Sequence, residues 1–271
     1  MFAWDTATHA GRELFRAPQT RSLPEQLTQI APTVCGTKLV VPVGYGVYVL
    51  DAATGATVWR SGRSHPHQAP VSPLPDGSAF LSLTRSLVVG CWNAETGDRV
   101  PLPGELGKYG RCGHVECVTG GSVVLTMSNT DGSVTLWDRA SGRAVGRCSP
   151  GEPWPRPPAV SPDGSAFVTG PAHGARADRD LWVFDLASLQ RRALLKTPAG
   201  FPKAAFHPAG RVLAVASGKP AVTFWDTITG RKLKAFAPKI GGVRVVAFAP
   251  DGQTWCAAGD GRFAVVDTEL E

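Results

Sequence analysis

A chain of 271 residues with 43% hydrophobic and 18% charged residues holds ample apolar material for a buried core, which excludes intrinsic disorder. Its 31 Gly and 23 Pro make it turn-rich, and no uncharged run reaches the ~18 apolar residues that a membrane-spanning helix needs. The net charge of +6 is spread along the chain, with never more than two Lys or Arg in succession, and so reads as a solvated basic surface rather than a nucleic-acid site.

From the N-terminus onward, a short apolar strand ending in Asp or Asn recurs seven times. FAWD ends at Asp5, YVLD at Asp51, GCWN at Asn93, TLWD at Asp138, WVFD at Asp185, TFWD at Asp226 and AVVD at Asp267. The steps between them are 46, 42, 45, 47, 41 and 41 residues, too regular for chance. Each strand end opens a turn such as DAATG, NAETG, DRASG or DTITG, in which Asp or Asn binds its own backbone and Gly takes a positive φ.

A second element keeps the same phase. Pro-Asp-Gly stands at 75–77, 162–164 and 250–252, with degenerate forms at Pro208-Ala209-Gly210, Thr119-Gly120-Gly121 and Val34-Cys35-Gly36. Apolar alternation flanks these turns, as in VVAFAPDGQTWCAAG, and predicts strands of four to seven residues. No segment carries a helical stripe. Each repeat is therefore expected to be four short antiparallel strands, and the chain all-β.

Four-stranded units of this period, with Trp-Asp ending the third strand, resemble the blades of WD-repeat (WD40) β-propellers over Phe2 to Asp267. Trp precedes the closing Asp or Asn at Trp4, Trp92, Trp137 and Trp225, while Leu50, Phe184 and Val266 replace it elsewhere. The family's Gly-His pair occurs at Gly113-His114. In that repeat the resemblance implies a structural relay of His114, Asp131 and Trp137, with Thr126 or Ser128 as its hydroxyl member. The second repeat, GVYVLDAATGATVWR, is also similar to quinoprotein-type propeller repeats, in which Trp follows the turn as Trp59 does here.

The chain is expected to form one propeller domain over 1–271, with units 6–51, 52–93, 94–138, 139–185, 186–226 and 227–267, residues 1–5 ending a truncated repeat. Two closures follow. Leu14 to Ala17 supplies the outer strand of the last blade of a six-bladed ring, or the hairpin FAWDTATHAGRELF half-fills a seventh position, as a fragment of a longer signalling protein would. The hairpin reading favours seven positions.

Successive loops of an antiparallel blade alternate between two faces. The Pro-Asp-Gly and Asp-x-x-x-Gly turns share one, here the turn face. The loop between the second and third strands and the connection to the next blade share the other, the loop face. Length variation gathers on the loop face, notably the insertion PAHGARADRD at 171–180 and the connection EPWPRPP. Variable loops on a rigid scaffold are where binding resides. The candidate partner-binding residues are Trp154, Arg176, Asp178, Arg179 and Asp180, because Trp and Arg combine contact area with directed hydrogen bonds.

No catalytic constellation is present. His114, His173 and His207 fall in different repeats, the His65-Pro66-His67 pair has no carboxylate or thiol neighbour, and there is no nucleophile elbow or phosphate loop. Six cysteines without a CxxC pair read as buried thiols in a reducing compartment. Asp5 stands where a secretion signal would carry basic and then apolar residues. The expectation is a cytoplasmic scaffold that binds a protein or peptide, without catalysis, cofactor, metal, membrane or nucleic acid. The alternative is a propeller enzyme or small-molecule sensor with a central-channel site.

Overall fold

The computed structural model of the protein describes residues 2–4, 11–13, 31–32, 37–43, 46–61, 67–84, 86–118, 120–150, 157–171, 180–197 and 203–268. Their architecture is all-β: a two-stranded sheet followed by six antiparallel sheets of three or four strands, each of the six a blade of a β-propeller fold. Among the described residues a 3-10 turn at Leu106–Lys108 is the one helical element. Among the described residues no helix is long and apolar enough to cross a membrane.

The chain divides into two compact units, residues 1–129 with 134–147 and residues 130–133 with 148–271. The first begins with a two-stranded hairpin, β1 (Phe2–Trp4) and β2 (Gly11–Glu13), paired with Phe2 opposite Glu13. Blade 1 follows as β3 (Ala31–Pro32), β4 (Lys38–Val43), β5 (Gly46–Asp51) and β6 (Thr57–Arg60). Blade 2 is β7 (His67–Pro73), β8 (Ala79–Thr84), β9 (Val89–Asn93) and β10 (Arg99–Val100). Blade 3 is β11 (Cys112–Cys117), β12 (Val123–Ser128), β13 (Val134–Asp138) and β14 (Ala144–Cys148).

The second unit holds blade 4, with β15 (Ala159–Val160), β16 (Ala166–Thr169), β17 (Leu181–Asp185) and β18 (Arg191–Leu195). Blade 5 is β19 (Lys203–Phe206), β20 (Val212–Ala216), β21 (Val222–Asp226) and β22 (Lys232–Phe236). Blade 6 has three strands, β23 (Val245–Phe248), β24 (Thr254–Gly259) and β25 (Arg262–Asp267). Among the described residues six sheets of three or four strands are blades, and the hairpin that favours a seventh position also forms, as a two-stranded sheet of its own. Leu14 to Ala17 lie outside the described residues.

In blades 2 to 5 the inner strands are the most buried, whereas β25 of blade 6 is half-exposed. β9, β13, β17 and β21 each carry at least four consecutive buried residues, because a central strand is covered on both of its faces. The fourth strands are mostly exposed and bulge at one recurrent place. The register slips between Val49 and Leu50, Val183 and Phe184, and Phe224 and Trp225, each time beside the residue before the closing Asp. One extra outer-strand residue there (Val58, Arg192 and Leu233) adds local twist.

Tryptophans join adjacent blades. Trp92 packs with Val40, Val47 and Val49 of blade 1. Trp137 packs with Leu81, Leu83 and Cys91 of blade 2, and Trp225 with Val168, Leu181 and Val183 of blade 4. All three are at most 5% exposed, as a penultimate position on a doubly covered strand requires. Blade 6 has Val266 at that position, yet Trp255 on the neighbouring strand lies directly opposite it and packs edge-on to Phe224 of blade 5 at 5.2 Å. Cross-strand partners share a face, so the ring occupies the same interface from the other strand. In blade 1, Trp59 instead lies over the turn of blade 2: a Cβ on Gly97 would stand 1.8 Å from its ring, so only Gly fits beneath it.

Candidate interaction surface

The turn face is built from hydrogen bonds that each strand end makes to its own turn. Asp51 Oδ1 accepts the Thr54 N–H at 2.7 Å, Asn93 Oδ1 the Glu95 N–H at 2.7 Å, Asp138 Oδ1 the Ser141 N–H at 2.8 Å and Asp185 Oδ1 the Ser188 N–H at 2.8 Å. Asp226 does the same with Ile228 and Thr229 and also receives Arg211 Nη2 at 2.9 Å. In the Pro-Asp-Gly turns Asp76, Asp163 and Asp251 accept the N–H two residues on. These carboxylates are turn structure, as the spacing predicts.

Their ionisation follows from the same bonds. The Ser78 hydroxyl and N–H lower the pKa of Asp76, and the Ser141 hydroxyl and N–H lower that of Asp138. The Ser188 N–H and hydroxyl lower that of Asp185. Burial pushes Asp163 and Asp226 upward. Hydrogen bonds from Ser161 and Ser165 to Asp163, and from Thr229, Ile228 and Arg211 to Asp226, outweigh it and leave both carboxyls low.

Neighbouring turns also touch across blades. Pro75 of blade 2 meets Gly121 of blade 3, and Asp163 of blade 4 meets Gly210 of blade 5. His207 of blade 5 lies over Gly252 of blade 6, with Nε2 3.2 Å from the Gly252 carbonyl and Nδ1 accepting the Ala209 N–H. Both ring nitrogens of His207 are thus engaged in turn packing.

The loop face has a different backbone. Five described residues other than Gly hold a positive φ, and four of them are on this face: Leu87, Arg111, Lys239 and Asp260. The fifth, Leu189, takes the place of the turn glycine in blade 4. Residues with a Cβ are strained in this region, by about 1–2 kcal/mol each, and such strain gathers where structure serves function. Arg111 and Lys239 are exposed, as is Asp260. In blade 3 the Asn129 N–H donates to the Arg111 carbonyl at 2.9 Å, while the buried Asn129 Oδ1 has no hydrogen-bond partner among the described residues. Asp260 stands in an Asp-Gly pair that favours a hairpin turn with positive φ, whereas Leu87, Arg111 and Lys239 are not marked in the sequence.

Of the candidate residues predicted from sequence, Trp154, Arg176, Asp178 and Arg179 lie outside the described residues, as do His65 and His173. Asp180 is buried at the start of β17 and accepts from Lys196 Nζ at 2.8 Å, across the hairpin from β18. Its carboxylate is thus already held within blade 4. In blade 3, Trp137 Nε1 donates to Thr126 Oγ1 at 2.8 Å. His114 is buried with Nε2 3.2 Å from Glu116 Oε2, and Asp131 Oδ1 accepts the Ser133 N–H and hydroxyl. A second such link forms in blade 5, where Trp225 Nε1 donates to Thr223 Oγ1 at 3.0 Å.

Burial pushes the thiols of Cys91 and Cys117 up to about 11 and that of Cys112 up to about 12, values that leave them protonated and unreactive at neutral pH. Among the described residues no group of three or more His, Cys, Asp or Glu gathers to hold a metal ion.

Known proteins place this geometry in context. Residues 43–137 match a family model described as outer membrane protein assembly factor BamB, a stretch that includes Trp59 and Gly97. No curated protein matches the chain. Among solved structures, the β-propeller domain of Cps50 (Swd1) from Myceliophteria thermophila is 15% identical at a TM-score of 0.73, covering 97% of this chain and 87% of that one. A chain of the mitotic checkpoint complex is 15% identical at a TM-score of 0.73, covering 98% of this chain and 81% of its own. At this identity the likeness is one of fold, the β-propeller.

Proposed function

We propose that the protein is a non-catalytic interaction module of the WD-repeat type that binds a protein or peptide partner on its loop face. The observation that carries this reading is the asymmetry of backbone strain. Four of the five described positive-φ residues with a Cβ lie on the loop face, whereas the turn face is built of self-satisfied Asp and Gly turns. A face kept under strain is costly unless it presents groups to something else. The two solved propellers support the same direction, since one is a chain of a multi-protein complex. The family match is to an assembly factor, which is also not the name of an enzyme. We place the protein in the cytoplasm, where the buried thiols of blades 2 and 3 stay reduced.

The test is site-specific photocrosslinking in cells. A benzophenone side chain at Arg111 or Lys239 on the loop face is expected to capture discrete protein partners, and one at Thr54 or Ser141 on the turn face is not. Partners captured from the turn-face positions alone would overturn the assignment.

A further inference from the structure

We propose that the loop face of blades 5 and 6 is a docking site for a peptide segment carrying clustered negative charge, a proposal that rests on the interaction-module reading. Three loops meet there. They are the β20–β21 turn (217–221), the connection from β22 to β23 (237–244) and the β24–β25 turn (260–261). Backbone bonds knit them together. The Gly218 N–H donates to the Val243 carbonyl at 2.8 Å, Val243 N–H to the Lys219 carbonyl at 2.9 Å, and Arg244 N–H to the Ala258 carbonyl at 2.9 Å. The Gly242 N–H donates to Asp260 Oδ2 at 2.7 Å.

These bonds gather cations that are far apart in the sequence. Lys219, Lys239, Arg244 and Arg262 are all exposed at this junction, and Asp260 is the one carboxylate among them. Both of its oxygens are engaged, Oδ2 with Gly242 and Oδ1 with Arg244 Nη2 at 3.5 Å, so it fixes the loops and leaves the positive excess. Two of the strained residues are here, Lys239 at φ 59° and Asp260 at φ 48°. Lys239 is exposed. Around Gly218 and Gly261 a Cβ would meet nothing within 4 Å, so there is open space for a ligand chain over the backbone.

Charge complementarity selects an anion, and the residue types select a peptide. The three loops contain no aromatic residue. A single-stranded nucleic acid would need stacking platforms that these loops do not offer. An acidic peptide needs cations with freedom to follow it, which long exposed Lys and Arg side chains supply.

Fluorescence anisotropy with the full chain tests this, using a fluorescein-labelled peptide of six glutamates, its six-glutamine counterpart, a counterpart with two phosphoserines, and labelled dT12. The glutamate peptide is expected to bind, more weakly as salt rises, and the glutamine peptide is not; the phosphoserine peptide reports whether phosphate or carboxylate is preferred. The triple variant Lys219→Glu, Lys239→Glu, Arg262→Glu is expected to raise Kd at least about tenfold, the sum of a few exposed charge contacts. A charge-matched variant on the outer strand of blade 5, Arg231→Glu, Lys232→Glu, Lys234→Glu, is expected to stay within about twofold, and thermal melts confirm that both variants fold. Equal loss in the two variants overturns the site. Absence of glutamate-peptide binding, with loop-face crosslinks retained, overturns this proposal and leaves the interaction module standing. Tighter binding of dT12 than of either acidic peptide overturns both.

Discussion

The two faces of these blades solve the same problem, reversing a chain between short strands, in opposite ways. On the turn face an Asp or Asn carboxyl or amide oxygen satisfies the turn's own N–H groups and a glycine takes the positive φ. The reversal is thus complete within five residues, as in Asp138 to Gly142. On the loop face the turns are closed by bonds to the next connection, as Gly218 does with Val243, and residues with side chains sit in the left-handed region. One face is locally determined and chemically saturated. The other depends on its neighbours and keeps charged groups exposed.

Both faces rest on the inter-blade core, so the largest effect is expected there. Trp225→Ala should destabilise the protein by about 3–5 kcal/mol in urea unfolding, since its ring fills the contact between blades 4 and 5 and its Nε1–H is bonded to Thr223. Trp255→Ala should cost a similar amount, although Trp255 is outside the Trp-Asp motif. A cost below about 1 kcal/mol for Trp255→Ala would break the equivalence of the two rings.

A matched pair of glycine substitutions sharpens the contrast between the faces. Gly210 on the turn face and Gly218 on the loop face have nearly the same φ, 73° and 78°. A Cβ on Gly210 would stand 2.0 Å from Asp163 Oδ2, whereas one on Gly218 meets nothing within 4 Å. Gly218→Ala should therefore cost only the left-handed penalty of about 1–2 kcal/mol. Gly210→Ala should cost that and the displacement of Asp163, about 1–3 kcal/mol more. Equal melting temperatures for the two variants would show that turn-to-turn contact contributes nothing.

The smallest expected effect is on acid stability. Hydrogen bonds from Ser141 and Ser188 hold the carboxyls of Asp138 and Asp185 below the ordinary 3.8, so near and below that pH the unfolded chain binds more protons than the folded one. The stabilisation is fully present above about pH 4 and is lost as pH falls through the lowered folded values. Asn at these positions keeps an acceptor, as Asn93 does in blade 2, but does not titrate. The double variant Asp138→Asn, Asp185→Asn should therefore melt within a few degrees of the parent at pH 7 and lose less between pH 4 and 2. A steeper acid loss than the parent's would contradict the assignment.

The turn face was legible in the sequence because its interactions are local: Asp, the residue three positions on and Gly lie within one window, and their spacing repeats. For the same reason the ~44-residue period, the blade strands and the buried positions of Trp137 and Trp225 are legible in the residue pattern. The candidate site was much less legible. Lys219, Lys239, Arg244 and Arg262 are separated along the chain and look like scattered surface charge. Backbone bonds from Gly218 and Val243 to one another's loops, and from Arg244 to β24, are what assemble them.

Sequence alone determined the repeat, its strand content and the chemistry of every Asp-Gly turn, because propensity and side-chain-to-backbone bonding act over a few residues. Tertiary structure alone decided that the N-terminal hairpin makes a sheet of its own and that Trp255 replaces the missing motif tryptophan from the adjacent strand. It also decided which cations share a surface. Those outcomes depend on cross-strand register and on contacts between residues tens of positions apart, which no local pattern encodes.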